Sequence, residues 1–161
     1  DPRRQRQMCI RDRLQVITDI INKNKKGQLI GIDLLDTDIL PNVEILKGDI
    51  NDENILSQIN KILNGKKVNG VVSDMAADTT GHRPTDHLRT TRLLESAIDI
   101  AKDFLDEDGF FLGKCFKGGA EASVLETLNK SFKVVKHVKP DASRKESVES
   151  YVLAMHYKNT T

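Results

Sequence analysis

VNGVVSDMAADTTGHRPTDHLRTTRLLESAIDIAKDFLDEDGFFLGKCF, residues 68–116, is the stretch whose reading decides the fold. Residues 68–75 form a short, mostly apolar run closed by an acid, Asp74, the pattern of a strand buried in a parallel sheet. A polar loop follows at 76–87. Residues 88–105 then carry Leu93, Leu94, Ala97, Ile98, Ala101 and Leu105 at helical spacing. Gly109 opens a second apolar run, FFLGKCF. Strand, helix and strand in that order predict a crossover unit linking parallel strands.

The same alternation extends both ways. Upstream, QLIGIDLL (28–35) and VEILKGDI (43–50) read as short strands carrying Asp33 and Asp49, with only a Pro41-Asn42 turn between them. A helix over 52–64 is predicted to turn Ile55, Ile59, Ile62 and Leu63 inward. Before these, LQVITDIIN (14–22) has a helical stripe, and Lys25-Lys26-Gly27 supplies its stop. Downstream, a helix fits 120–131, and FKVVKHVK (132–139) and ESYVLAMHY (149–157) read as strands. The expected architecture is α/β: a Rossmann-like, mainly parallel sheet with helices on both faces. Two consecutive strands near the C-terminus give it an antiparallel ending.

Composition narrows the class. The 161 residues fit one domain, and 38% hydrophobic with 30% charged residues is globular rather than disordered. No run reaches the roughly 18 apolar residues of a spanning helix, so a cytoplasmic protein without membrane contact is expected. Two cysteines, Cys9 and Cys115, lack a paired spacing, and His82 and His87 are not spaced with cysteines or acids as metal ligands are. No metal site is expected, and Cys115 is read as a core residue. Five of the nine arginines lie within the first thirteen residues, DPRRQRQMCIRDR, which have no helical or strand period. Residues 1–13 are therefore read as a non-native or disordered segment, and 14–161 as the domain proper. Without that segment 20 basic residues (25 − 5) face 22 acidic ones (24 − 2), so nucleic-acid affinity has to come from a local patch. Lys117, Lys130, Lys133, Lys136, Lys139, Arg144 and Lys145 supply one, and His82, Arg83, His87 and Arg89 are further loop candidates.

In open α/β sheets ligands bind beyond the carboxyl ends of the strands, where Asp33, Asp49 and Asp74 all stand. An acid after one strand can accept hydrogen bonds from ribose hydroxyls, and one after another can take an exocyclic amine; together they suit an adenosyl group. Turn-forming aspartates are common, so their repetition carries the point. Lys114, following an apolar strand, is a candidate to take a proton or to stay charged and orient an oxygen; a strand-end lysine pointing to water is the plainer alternative.

Several of these stretches, in order, resemble a known family. SDMA (73–76), TTGHRPTDHLRT (79–90), GFFLGKCF (109–116), VKPDASR (138–144) and ESYVLA (149–154) are similar to the successive motifs of the FtsJ/RrmJ ribosomal RNA methyltransferases. The resemblance runs from about residue 14 to residue 158 and implies a partial methyltransferase domain that uses S-adenosylmethionine. The implied reaction is methylation of a ribose 2'-hydroxyl, on a uridine of large-subunit ribosomal RNA. Ribosomal RNA or the large ribosomal subunit is the implied partner of a monomeric enzyme. Of the family's reaction centre of two lysines, an aspartate and a glutamate, Lys114, Asp74 and Glu149 have the matching positions. By the same resemblance Asp33 binds the adenosine ribose, Asp49 lies near the adenine, and Asp74 also touches the methionine end. The family's first strand, its glycine-rich loop and its first catalytic lysine would precede Leu14 and match nothing here. Ala77-Asp78 stands where the family usually has Pro-Asn, which sets an extra acid on the RNA side. An inactive nucleotide- or RNA-binding module and a small-molecule O-methyltransferase are the alternative readings.

Overall fold

The computed structural model of the chain describes residues 29–32, 43–46, 53–73, 81–116, 121–138 and 149–158. Six strands form one sheet: β1 (Leu29–Ile32), β2 (Val43–Leu46), β3 (Val68–Ser73), β4 (Leu105–Phe116), β5 (Phe132–Val138) and β6 (Glu149–Tyr157). Their spatial order is β2-β1-β3-β4-β6-β5. The first four are mutually parallel, whereas β6 runs antiparallel to both of its neighbours, β4 and β5. The antiparallel ending expected from two consecutive strands is therefore present, with the later strand inserted inside the earlier one.

Helices α1 (Glu53–Leu63), α2 (Arg83–Phe104) and α3 (Glu121–Ser131) all pack on one face of this sheet. Ile55, Ile59 and Leu63 of α1, Leu94, Ala97, Ile98 and Ala101 of α2, and Val124 and Leu128 of α3 meet Ile30, Val71, Phe111, Cys115 and Val152 there. The other face carries a separate buried cluster of Leu29, Val72, Phe110, Leu112, Tyr151 and Leu153. Strand alternation explains the division, since Val71 and Val72, or Phe111 and Leu112, are sequence neighbours on opposite faces. The helix read over 14–22 lies outside the described residues.

Three boundaries differ from the sequence reading, each for a local reason. In α1 the inward stripe is Ile55, Ile59, Leu63, at steps of four; Ile62 falls beside it and is exposed. Asn64 and Gly65, both at positive φ, then end the helix, with Asn64 N–H donating to Asn60 O at 2.9 Å. Helix α2 starts at Arg83, five residues before the start predicted at 88, because Pro84 is tolerated in a first turn whose N–H groups have no partner within the helix. Strand β4 begins at Leu105 and not at Gly109. Leu105 pairs with Val68 and Phe110 with Gly70, so five steps on β4 run against two on β3, and the excess residues bulge out through Asp108 at φ 67°.

Candidate active site

Because β2, β1, β3 and β4 are parallel, their carboxyl ends, Leu46, Ile32, Ser73 and Phe116, share one edge of the sheet. Asp33 and Asp74 are the next residues in sequence after β1 and β3, and Asp49 comes three residues after β2. All three acids lie outside the described residues.

Lys114 is described, and it is the residue that departs most from a surface lysine. It sits near the carboxyl end of β4 with 3% of its surface exposed, the only base among the described residues that is buried. An ammonium loses its hydration when buried, so such a position is costly unless the group is hydrogen-bonded or paired. Lys114 pairs with Tyr151 of β6, which pairs in turn with Val138 of β5, so one row crosses three strands. Tyr151 and Leu112, buried beside it, belong to the face away from the helices. Gly113 pairs with Ser73, the residue before Asp74, and Phe116 pairs with Glu149. The register thus brings the backbone of Lys114 next to β3's last residue on one side and within two residues of Glu149 on the other.

Sequence reasoning passed over Gly113. A Cβ built there would lie 2.5 Å from Leu94 Cδ1 and 2.8 Å from the Phe111 ring, so α2 rests directly on β4 one residue before Lys114. A glycine inside an apolar strand is the signal that could have pointed to it. Tyr151, read only as a strand former, is the cross-strand neighbour of Lys114.

The loop candidates divide. His82 caps α2: Thr85 N–H donates to its Nδ1 at 3.4 Å, and the Thr85 hydroxyl lies 2.6 Å from the same nitrogen. Asp86 and Thr90, next along that helix, are buried. Arg89 is exposed and His87 half-buried. Cys115 is buried on the helix side, its Sγ 4.0 Å from His137 Nδ1. In the basic cluster Lys130, Lys133 and Lys136 are exposed, and Lys130 faces Glu126 at 3.5 Å. Lys117, Lys139, Arg144 and Lys145 lie outside the described residues. None of the described helices is long and apolar enough to cross a membrane.

Parallel strands in this order, an antiparallel inserted strand and acids following adjacent strand ends define a Rossmann-like methyltransferase fold. Comparison with known proteins agrees. A family model described as FtsJ-like methyltransferase matches residues 15–157. Over 140 residues the chain is 49% identical to ribosomal RNA large subunit methyltransferase E of Bartonella henselae, covering 87% of this chain and 56% of that protein. Over 145 residues it is 50% identical to the protein of the same name from Brucella ovis, covering 89% and 60%. Among solved structures, a ribosomal RNA methyltransferase from Plasmodium falciparum is 25% identical with a TM-score of 0.68, covering 86% of this chain and 78% of that one. The N-methyltransferase NodS of Bradyrhizobium japonicum, at 9% identity and a TM-score of 0.54 over 92% of this chain and 96% of that one, shares the fold alone. The chain belongs to the FtsJ-like methyltransferase family. It spans between 56% and 60% of the length of the two bacterial relatives named.

Proposed function

We propose that the protein to which this chain belongs methylates RNA on a ribose 2'-hydroxyl, using S-adenosylmethionine, with a uridine of large-subunit ribosomal RNA as the acceptor. The observation that carries this is the buried Lys114 at the carboxyl end of β4, in register beside β6 and β3. The names of the bacterial relatives support the RNA substrate. Ribose specificity rests on the motif resemblance and on the chemistry of the lysine.

The residues present suit the cofactor. β2, β1 and β3 are adjacent and parallel, so acids that follow their ends can serve one ligand lying across them. Asp33 would hold the ribose hydroxyls of the adenosyl group, Asp49 would accept from the adenine side, and Asp74 would face the methionine end. When bound, S-adenosylmethionine supplies an electrophilic methyl group on its sulfonium sulfur.

The remaining work falls to the chain. A ribose hydroxyl is a weak nucleophile at neutral pH and needs its proton taken or its oxygen oriented as it attacks. Lys114 does this from a site closed to bulk water, where a hydrogen bond to the acceptor oxygen is not competed away. Positions two apart on a strand return to the same face, and Glu149 stands two residues from Tyr151, the partner of Lys114. With Asp74 following β3, the two carboxylates would serve to orient the lysine.

Incubation with methyl-labelled cofactor and large-subunit ribosomal RNA tests the reading. Label is expected on a ribose 2'-oxygen and absent from RNA whose acceptor hydroxyl is replaced by hydrogen. Label on a base, or undiminished label on the deoxy substrate, would overturn it.

A further inference from the structure

The face of the sheet that carries Lys114 is closed over β3, β4 and β6 but opens at β5. Val72, Leu112, Tyr151 and Leu153 are buried, whereas Val134 on β5 is 38% exposed. Register assigns the β5 side chains to faces. Val134 pairs with Met155 and Val138 with Tyr151, and Val138 and Met155 pack against the Lys114-side cluster. Val135 packs on the helix side. Alternation from Val134 to Val138 therefore puts Lys136 on the Lys114 face, whereas Phe132 packs with Val135 on the helix side, so the alternation does not carry back to Lys133. Both lysines are exposed, and neither has an ion-pair partner among the described residues. Residues 127–139 contain no acid. Asp106, Glu107 and Asp108 lie at the opposite, amino-terminal end of β4.

We propose that the open margin of β5 is a contact for the RNA backbone, in which Lys136 holds a phosphate of the strand whose ribose reaches Lys114. Lys136 lies two strands and two residues from Lys114 by way of Leu153 and Leu112. At strand spacings of about 4.8 Å and a rise of about 3.3 Å per residue, their Cα atoms are about 12 Å apart on one surface. A nucleic-acid strand a few nucleotides long covers that span, and an exposed ammonium beside an exposed valine suits a phosphate with its sugar alongside. Lys130, equal in charge and exposed on α3, faces Glu126 at 3.5 Å and belongs to a helix packed on the other face, so it makes no such contact. This inference rests on the RNA reading above and adds to it the path of the strand away from the reaction centre.

Fluorescence anisotropy with a labelled oligouridine, measured against salt on the whole chain, tests it. Each phosphate contact on a single strand contributes about 0.7 to the slope of log affinity on log salt, so losing one amounts to about fivefold over a decade of salt. Lys136→Gln is expected to lower the slope by about 0.7, with Lys130→Gln retaining the parent slope. Both sites are exposed, and unchanged circular dichroism verifies that the variants fold. A parental slope for Lys136→Gln, or an equal loss for Lys130→Gln, would overturn the β5 contact while leaving the RNA reading intact. Failure of the folded parent chain to bind oligouridine at any salt would overturn both.

Discussion

Adding a single methyl at Gly113 tests whether helix α2 positions Lys114, the proposed reactive lysine. The alanine Cβ would sit 2.5 Å from Leu94 Cδ1, 2.8 Å from Phe111 Cε1 and 2.9 Å from Phe111 Cζ, and both neighbours are themselves buried. Inserting a methyl into a packed core costs about 1–3 kcal/mol. Replacing glycine restricts the unfolded chain and returns about 0.4–1 kcal/mol. Gly113→Ala is thus expected to destabilise by about 1–2 kcal/mol, read as a lower urea midpoint at constant m. Leu94→Ala alone is expected to cost about 2–5 kcal/mol for the cavity it leaves. In the double variant the new methyl occupies that cavity, so the combined loss falls short of the sum by about 0.5–3 kcal/mol. Activity should follow geometry: Gly113→Ala lowers turnover more than cofactor affinity, and Leu94→Ala partly restores it. Singles that add within about 0.3–0.5 kcal/mol, or a stabilised Gly113→Ala, would refute the contact and with it the positioning argument.

Three further outcomes are expected. Lys114→Ala lowers turnover about 100-fold to 10,000-fold with cofactor affinity nearly unchanged; retained activity in Lys114→Arg would make the group an orienter, because arginine does not release its proton. Burial, with Asp103 adding to it, holds the Tyr157 hydroxyl above its ordinary pKa of 10.0, and that hydroxyl donates to Lys102 O at 3.1 Å. Its folded-state contribution is complete below pH 10 and declines as pH climbs through the raised value, so Tyr157→Phe flattens stability against pH in the alkaline limb of a denaturation series. Ile59→Ala, at a fully buried position of α1, costs about 2–5 kcal/mol by urea denaturation, and a loss below about 1 kcal/mol would mean that α1 does not pack as described.

Much of this fold was legible because its elements carry unambiguous periods. Residues 149–157 were read as a strand and are one, since Tyr151, Val152 and Tyr157 favour extended backbone and no breaker interrupts them. What was not legible depended on pairing. FLDEDG, 104–109, has the composition of a loop, yet Leu105 is held in β4 by Val68, a tertiary partner that no local pattern discloses. In TTGHRP the glycine and proline masked a helix start that His82 capping makes possible. At the site, Lys114, Asp74 and Glu149 were singled out through their motifs, and burial and register now bear on the first and last of them. The helix-supporting role of Gly113 escaped notice because it is defined by a helix some twenty residues away.

The insertion of β6 between β4 and β5 has a consequence for biosynthesis. β5 leaves the ribosome before β6 but has no place in the sheet until β6 has docked on β4, because its ladder partners are all in β6. During translation β5 therefore waits with two open edges, and the sheet closes only with residues 149–157. A premature stop anywhere before residue 149 removes one strand from the chain and two from the sheet. It also strips the cross-strand neighbour from Lys114, so partial products would be both edge-exposed, and hence prone to pair with one another, and without the full surroundings of the proposed reaction centre.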